Sequence, residues 1–335
     1  MATIKDVALQ AGVSVTTVSH ALNGTRFVSE DAKARIEAAV AALSYVPSAI
    51  ARSLKHNSTR TLGMMIPSNS NPYFAEIIRG VESQCFNAGY NLVLCNSDND
   101  PDKQASHLRV LAERRIDGLI LVASGAESAL ASQLEALNLP LVLVDRNIAG
   151  LDCDLVQVDH AAGSKMATEH LISLGHRNIA CISGPAGLSP SSERRAGWKQ
   201  ALADASIARR EGDVARGDFT SRGGFLAMQT LLARKDPPTA VFVCNDVMAI
   251  GAISAIHHAG LRVPDDISIV GFDDIELAAY TIPPLTTIAQ PKAAIGTGTA
   301  ELLLERLTGS RTQTRQLILQ PELVVRQSTA PLTQA

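Results

Sequence analysis

The sequence lacks most of the chemistry that catalysis or secretion needs. Its five cysteines, Cys85, Cys95, Cys153, Cys181 and Cys244, are odd in number, far apart and never in CxxC spacing. Each sits in or beside an apolar segment, which reads as small buried thiols rather than a disulfide framework. No apolar run approaches the ~20 residues that a membrane span needs. The opening, Met1-Ala2-Thr3-Ile4-Lys5-Asp6, lacks the basic-then-apolar order of a signal peptide. A cytoplasmic chain without a membrane partner is the expectation. HExxH, Walker A, GxGxxG and GxSxG strings are all missing. His160, His170, His176, His257 and His258 show no metal-ligand spacing with nearby carboxylates or cysteines. Neither a metal nor a cofactor is expected, nor enzymatic activity. A sugar-processing α/β enzyme remains an alternative, but it would need a phosphate loop.

The 335 residues, 46% of them hydrophobic, suffice for two or three compact units of roughly 100–150 residues each. Net charge is −3 but uneven. Residues 1–60 carry seven Lys and Arg against four Asp and Glu, or +3; the rest carry 23 against 29, or −6. A basic head on an acidic body suits a chain that lays only its head on a polyanion.

The first sixty residues read as short helices. Thr3 and Asp6 form a capping-box-like pair, followed by Ile4, Val7 and Ala8 on one face. Gly12 breaks that helix, Ser14 can cap a second with Val15, Val18 and Leu22, and a third follows Ser29. From Thr61 onward, short apolar strands alternate with helical patterns: 62–66, 91–95, 118–122, 141–144 and 155–158, then 179–183, 240–243, 267–271 and 286–288. This is the signature of parallel βαβ units in two tandem open sheets. Ligands of such sheets bind beyond the carboxyl ends of the strands, so a cleft between two lobes would gather those ends.

A helix, a glycine turn and a second helix form a helix-turn-helix pattern. The detailed string is Thr3-Ile4-Lys5-Asp6-Val7-Ala8, Ala11-Gly12-Val13-Ser14, Thr17-Val18-Ser19, Leu22-Asn23, Val28-Ser29, Leu43, Tyr45, Pro47 and Ala51-Arg52-Ser53-Leu54. It closely resembles the LacI/GalR family of bacterial repressors, and the likeness runs through almost the whole chain. The resemblance implies that Val15, Thr16 and His20, on the outward face of the second helix, read bases in the major groove. Ser14, Thr17, Ser19 and Arg26 are candidates for phosphate contacts, with local capping as the plainer role for Thr17 and Ser19. Residues 48–55 resemble the family's hinge helix, with Ser48, Ala51, Leu54 and Lys55 at the DNA. Leu54 would wedge into the minor groove. A helix that short is too short to be stable alone, so it should fold only when paired with its dimer mate on DNA.

In the body, Asn71-Pro72-Tyr73-Phe74 puts two aromatics in a loop after a strand, in a chain only 4% aromatic. Flat aromatics with planar polar groups suit a pyranose ring. Asp145-Arg146, Asn245, Asp273 and Gln290 also follow strands, and Arg194 opens a helix. With Phe219, these positions match the sugar-contacting pattern of periplasmic ribose-binding proteins, which share the family's effector fold. The strand end near Ala123 departs, offering Ala-Ser where those proteins offer asparagine. Purine repressors share much of the head and Tyr73-Phe74, but hold the base with an arginine and a threonine before Arg194. Here that stretch is Leu188-Ser189-Pro190.

The expectations are therefore concrete. The fold is α/β: an all-α helix-turn-helix head (1–47), a hinge helix and linker (48–60), and a two-lobed, periplasmic-binding-protein-like body (61–335). The first lobe takes about 61–159 and 291–318, the second about 160–290 and 319–330. The function is a repressor that binds a pseudo-palindromic double-stranded DNA operator as a homodimer, released by D-ribose. The alternatives are a purine or another pentose or hexose.

Overall fold

The computed structural model describes residues 2–46, 58–122, 127–146, 148 and 150–332. The chain divides into two compact units, Met1–Thr59 and Arg60–Ala335.

Among its described residues the first unit holds three helices, α1 (Ile4–Ala11), α2 (Val15–Asn23) and α3 (Glu30–Ala42). Their boundaries follow from local chemistry. The Thr3 side chain caps α1 and the Asp6 carboxylate returns a bond to the Thr3 backbone, completing a capping box. Gly12 closes α1 at φ 62, a left-handed conformation that costs glycine nothing. Ser14 caps α2 by accepting from the Thr17 amide at 3.0 Å. Val7, Ala8, Ala11, Val18, Ile36 and Ala39 form a small core. Arg35 crosses from α3 to donate to the Ala11 carbonyl at 3.0 Å, which fixes α1 on α3.

The second unit is two six-stranded sheets. The first runs in the order β11-β5-β4-β3-β1-β2, from β1 (Thr61–Ile66), β2 (Asn91–Asn96), β3 (Gly118–Leu121), β4 (Leu141–Val144), β5 (Asp154–Val158) and β11 (Gln316–Leu319). The second runs β12-β10-β9-β8-β6-β7, from β6 (Ile179–Ser183), β7 (Val214–Arg216), β8 (Ala240–Val243), β9 (Ser268–Asp273), β10 (Thr286–Ala289) and β12 (Glu322–Val324). Among the described residues, all pairings are parallel except β10 with β12, an antiparallel edge that the sequence pattern does not announce. Central strands such as β6, β8 and β9 are buried throughout. This is why they read as unbroken apolar runs, since parallel sheets are covered on both faces.

The helices between them are α4 (Pro72–Asn87), α5 (Pro101–Glu113), α6 (Glu127–Leu137), α7 (His160–Ser173), α8 (Ser189–Asp204), α9 (Ser221–Leu232), α10 (Asp246–His258) and α11 (Lys292–Leu307). Helix α11 packs on α4 and on β3, β4 and β5, in the first lobe. Helices α7 and α8 pair in the second. Helices α4 and α11 meet backbone to backbone: a Cβ on Gly296 would lie 2.6 Å from the Ile77 carbonyl oxygen. The chain crosses between lobes three times, after β5, β10 and β11. The Asp159 amide donates to the Leu319 carbonyl at 3.0 Å, pinning two of those crossings together.

Candidate functional site

In the head, Ser14, Val15, Thr16 and Arg26 are exposed, while Thr17, Ser19 and His20 are half-buried. Val15 and Thr16 therefore present their side chains at the start of α2, with no core task. Thr17 Oγ1 shares a hydrogen bond with Ser14 Oγ at 2.8 Å, and the Ser19 carbonyl accepts from Asn23 Nδ2 at 2.7 Å. Both positions thus serve local structure, which does not use up the hydroxyl lone pairs. His20 Nδ1 lies 2.7 Å from Thr25 Oγ1, so the ring is held with Nε2 turned to the other side. Ser48, Ala51, Leu54 and Lys55 lie outside the described residues, as does the Ala123-Ser124 strand end.

In the body, a cavity of about 410 Å³ opens between the two sheets. Nine of the ten sequence-predicted residues line it: Asn71, Tyr73, Phe74, Asp145, Arg146, Arg194, Phe219, Asn245 and Asp273. They come from both lobes. Asn71 caps α4 and Pro72 begins it, which delivers Tyr73 and Phe74 to the rim, their rings edge-to-face at 5.1 Å. Asp145 follows β4 at φ 67 and Asp273 ends β9 at φ 117, both in the left-handed region. Phe219, at φ 68, lays its ring over Gly184, where any Cβ would clash at 2.2 Å.

Behind this wall, side chains from both lobes close a hydrogen-bonded ring. Arg194 Nη1 donates to Asp273 Oδ1 at 3.3 Å, and Gln290 Nε2 donates to the same oxygen at 2.7 Å. The Tyr73 hydroxyl donates to Gln290 Oε1 at 3.1 Å and lies 3.5 Å from Asp145 Oδ2. His160 Nε2 stands 3.1 Å from Asp145 Oδ1, and Arg194 Nε donates to His160 Nδ1 at 3.4 Å. Because Nδ1 accepts, the ring proton sits on Nε2 and goes to Asp145. Arg194 also donates to the Cys244 carbonyl at 2.6 Å and lies over the Phe272 ring at 3.9 Å. So many partners hold a guanidinium that is only 4% exposed.

Two expectations change in detail. Gln290 does not line the cavity; it stands behind Tyr73 and Asp273 and orients both. Asn245 lines it, but its amide caps α10 through Met248 and donates to the Phe219 carbonyl at 3.3 Å. It shapes the wall with both ends of its amide engaged. The sequence does not mark His160 as a site residue, because its partners lie 15 and 34 residues away and no spacing rule joins them. The rims also include Asp98, Asn99, Leu188, Pro190, Asp218 and Thr220.

The periplasmic-binding-protein-like domain model matches residues 168–329, and the model of lacI-family bacterial regulatory proteins matches residues 3–48. The HTH-type transcriptional repressor PurR of Photobacterium profundum is 46% identical over 333 residues, 99% of this chain and 100% of that protein. This chain belongs to the LacI family. The Lac repressor dimer bound to operator and the anti-inducer ONPF superposes with TM-score 0.88 at 31% identity, over 98% of this chain and 99% of that one. An Enterococcus faecium LacI family regulator with bound ribose does so with TM-score 0.75 at 31% identity, over 82% of this chain and 100% of that one. The protein is a DNA-binding transcriptional repressor, not an enzyme.

Electrostatics in this LacI-family cleft follow from burial and pairing. Burial pushes the Asp273 carboxyl up to about 6, although Arg194 and Gln290 pull against it. Burial also presses on Asp145, but His160, Arg194 and Arg146 outweigh it and hold that carboxyl below its ordinary value. Burial, then Asp145 and Asp273, drive the Tyr73 phenol well above 10, so it stays a donor. Among the described residues, no helix is long and apolar enough to cross a membrane, and no cluster of ligating side chains could hold a metal.

Proposed function

We propose that the cleft binds a small uncharged metabolite and that this binding controls the repressor's grip on its operator. The supporting observation is the ring of Tyr73, Asp145, His160, Arg194, Asp273 and Gln290, which joins both lobes at the cavity wall. Four carboxylates, Asp98, Asp145, Asp218 and Asp273, face two guanidiniums, Arg146 and Arg194. Asp98 is paired with Lys103 and Asp273 with Arg194, so these cations are already met by carboxylates, which favours an uncharged ligand over a phosphate ester or carboxylate. The working parts are a reader over 1–47, a hinge helix and linker over 48–60, and an effector body over 61–335. Two copies of the chain act as a twofold homodimer on two half-sites. The effector shifts the equilibrium by its differential affinity for the two states of the dimer.

Kinship with PurR favours a purine over the ribose expected from the sequence. A specific observation supports ribose as the second reading. Leu188 and Pro190 line the cavity where purine repressors would need an arginine and a threonine to hold the base. The ribose-bound regulator of similar fold points the same way. Calorimetry with hypoxanthine, guanine, D-ribose and other pentoses and hexoses, alongside operator retention assays, decides between them. One class should bind and change operator affinity. Arg194→Ala should abolish that response and leave effector-free operator binding intact. Unaltered binding by this variant would reject the cleft as the effector site.

A further inference from the structure

Lys292 is 7% exposed, yet its ammonium is not part of the ring at the cavity. It sits in the first turn of α11, just past the crossing from β10. Its Nζ donates to the Asp273 carbonyl at 3.1 Å and to the Asp274 carbonyl, and lies 3.5 Å from Glu76 Oε1. Glu76 belongs to α4, three residues beyond Tyr73 and two beyond Phe74. The gripped corner is strained: Asp273 at φ 117 and Asp274 at φ 53 are consecutive non-glycine residues in left-handed backbone. Such a corner persists only where its surroundings over-determine it. Here they do: the Gln290 amide also reaches the Asp273 carbonyl at 3.4 Å, and the next amide, Ile275, donates to buried Asp246 at 2.9 Å.

We propose that Lys292 is a positioning residue that couples the two rims of the cleft. It holds the corner that aims Asp273 at the cavity, and its bond to Glu76 makes that hold depend on where α4 carries Tyr73 and Phe74. Glu76 touches neither Asp273 nor Asp274 in the described contacts; its direct link to the corner is Lys292, while the other route from α4 runs through Tyr73 and Gln290 to the Asp273 carboxylate. The proposal rests on the reading of the cleft as an effector site only for its binding arm.

Residue-level hydrogen exchange on the full-length, effector-free protein tests the coupling. Lys292→Met and Glu76→Gln should each speed exchange at the Ile275 amide by about threefold or more, with amides of β1 and β6 unchanged. In the Lys292→Met background, adding Glu76→Gln should have no further effect. Lys292→Met risks general destabilisation, whereas Glu76 is partly exposed and its glutamine variant keeps the fold testable. Ile275 exchange unmoved by Glu76→Gln overturns the proposal, as does acceleration spread equally over β1 and β6. In the binding arm, Glu76→Gln should weaken D-ribose or hypoxanthine, whichever wild type binds, by about threefold or more. Failure of wild type to bind either probe counts against the effector reading, while the exchange result still decides the role of Lys292.

Discussion

The Tyr73 hydroxyl donates to Gln290 Oε1 at 3.1 Å, joining the start of α4 to the crossing that leaves β10. The two residues are 217 positions apart and both are buried. The bond spans the lobes at the floor of the cleft, where the effector is proposed to sit. Tyr73→Phe keeps the ring and removes the donor, leaving Gln290 Oε1 and Asp145 Oδ2 short of a partner. The expected loss is about 1–2 kcal/mol, roughly 5–30-fold in effector affinity. Calorimetry measures it, and an unchanged affinity would mean that the hydroxyl is incidental to binding.

Acidity offers an independent handle on the same cleft. Asp273 titrates near 6 in the folded chain against an ordinary 3.8. Between those values the native state keeps a proton that the unfolded state has released. This group's stabilising contribution is therefore complete below about pH 4 and is lost as pH rises through about 6. Binding should run the other way, because an effector hydroxyl or N–H needs an ionised acceptor. Affinity should fall as pH drops from about 7 to about 5, and Asp273→Asn should flatten the profile. A sloping profile that survives in the asparagine variant would assign the proton elsewhere.

In the head, base reading and backbone holding separate by mutation. His20→Ala should cost about 1–3 kcal/mol on the cognate operator and little on random DNA. Arg26→Ala should weaken both alike and lower the dependence of affinity on salt by about one counterion. Fluorescence anisotropy over a salt series distinguishes them. Equal losses on both DNAs for His20→Ala would return His20 to the status of a surface residue bonded to Thr25.

Gly296→Ala tests the contact of α4 with α11. The new methyl would meet the Ile77 carbonyl oxygen at 2.6 Å, and backbone cannot yield as a flexible side chain can. The two helices must part, at a cost of about 1–3 kcal/mol. Thermal unfolding should show a lowered midpoint, and an unchanged one would show that the pair has slack.

What could be read from the sequence was whatever is written locally. The Thr3–Asp6 capping box, the Ser14 cap and the Gly12 stop are decided within four residues, and the buried strands announce themselves as apolar runs. The strands β7, β11 and β12 escape because they are three or four residues long at sheet edges, where most positions are exposed or half-buried. At the site, strand ends named the wall but not its depth. Gln290 sits one layer back, Asn245 is occupied as a cap, and His160 and Lys292 act on partners that only the folded chain brings near. Long-range pairing of this kind leaves no periodicity to detect.

The bond from the Asp159 amide to the Leu319 carbonyl ties the first and third interlobe crossings into one ribbon. Three loose tethers would allow the lobes to twist, splay or slide independently. Joining the first and third leaves two independent tethers instead of three, which removes part of that freedom. For the effector control proposed above, fewer ways to move would make the response to a filled cleft more uniform.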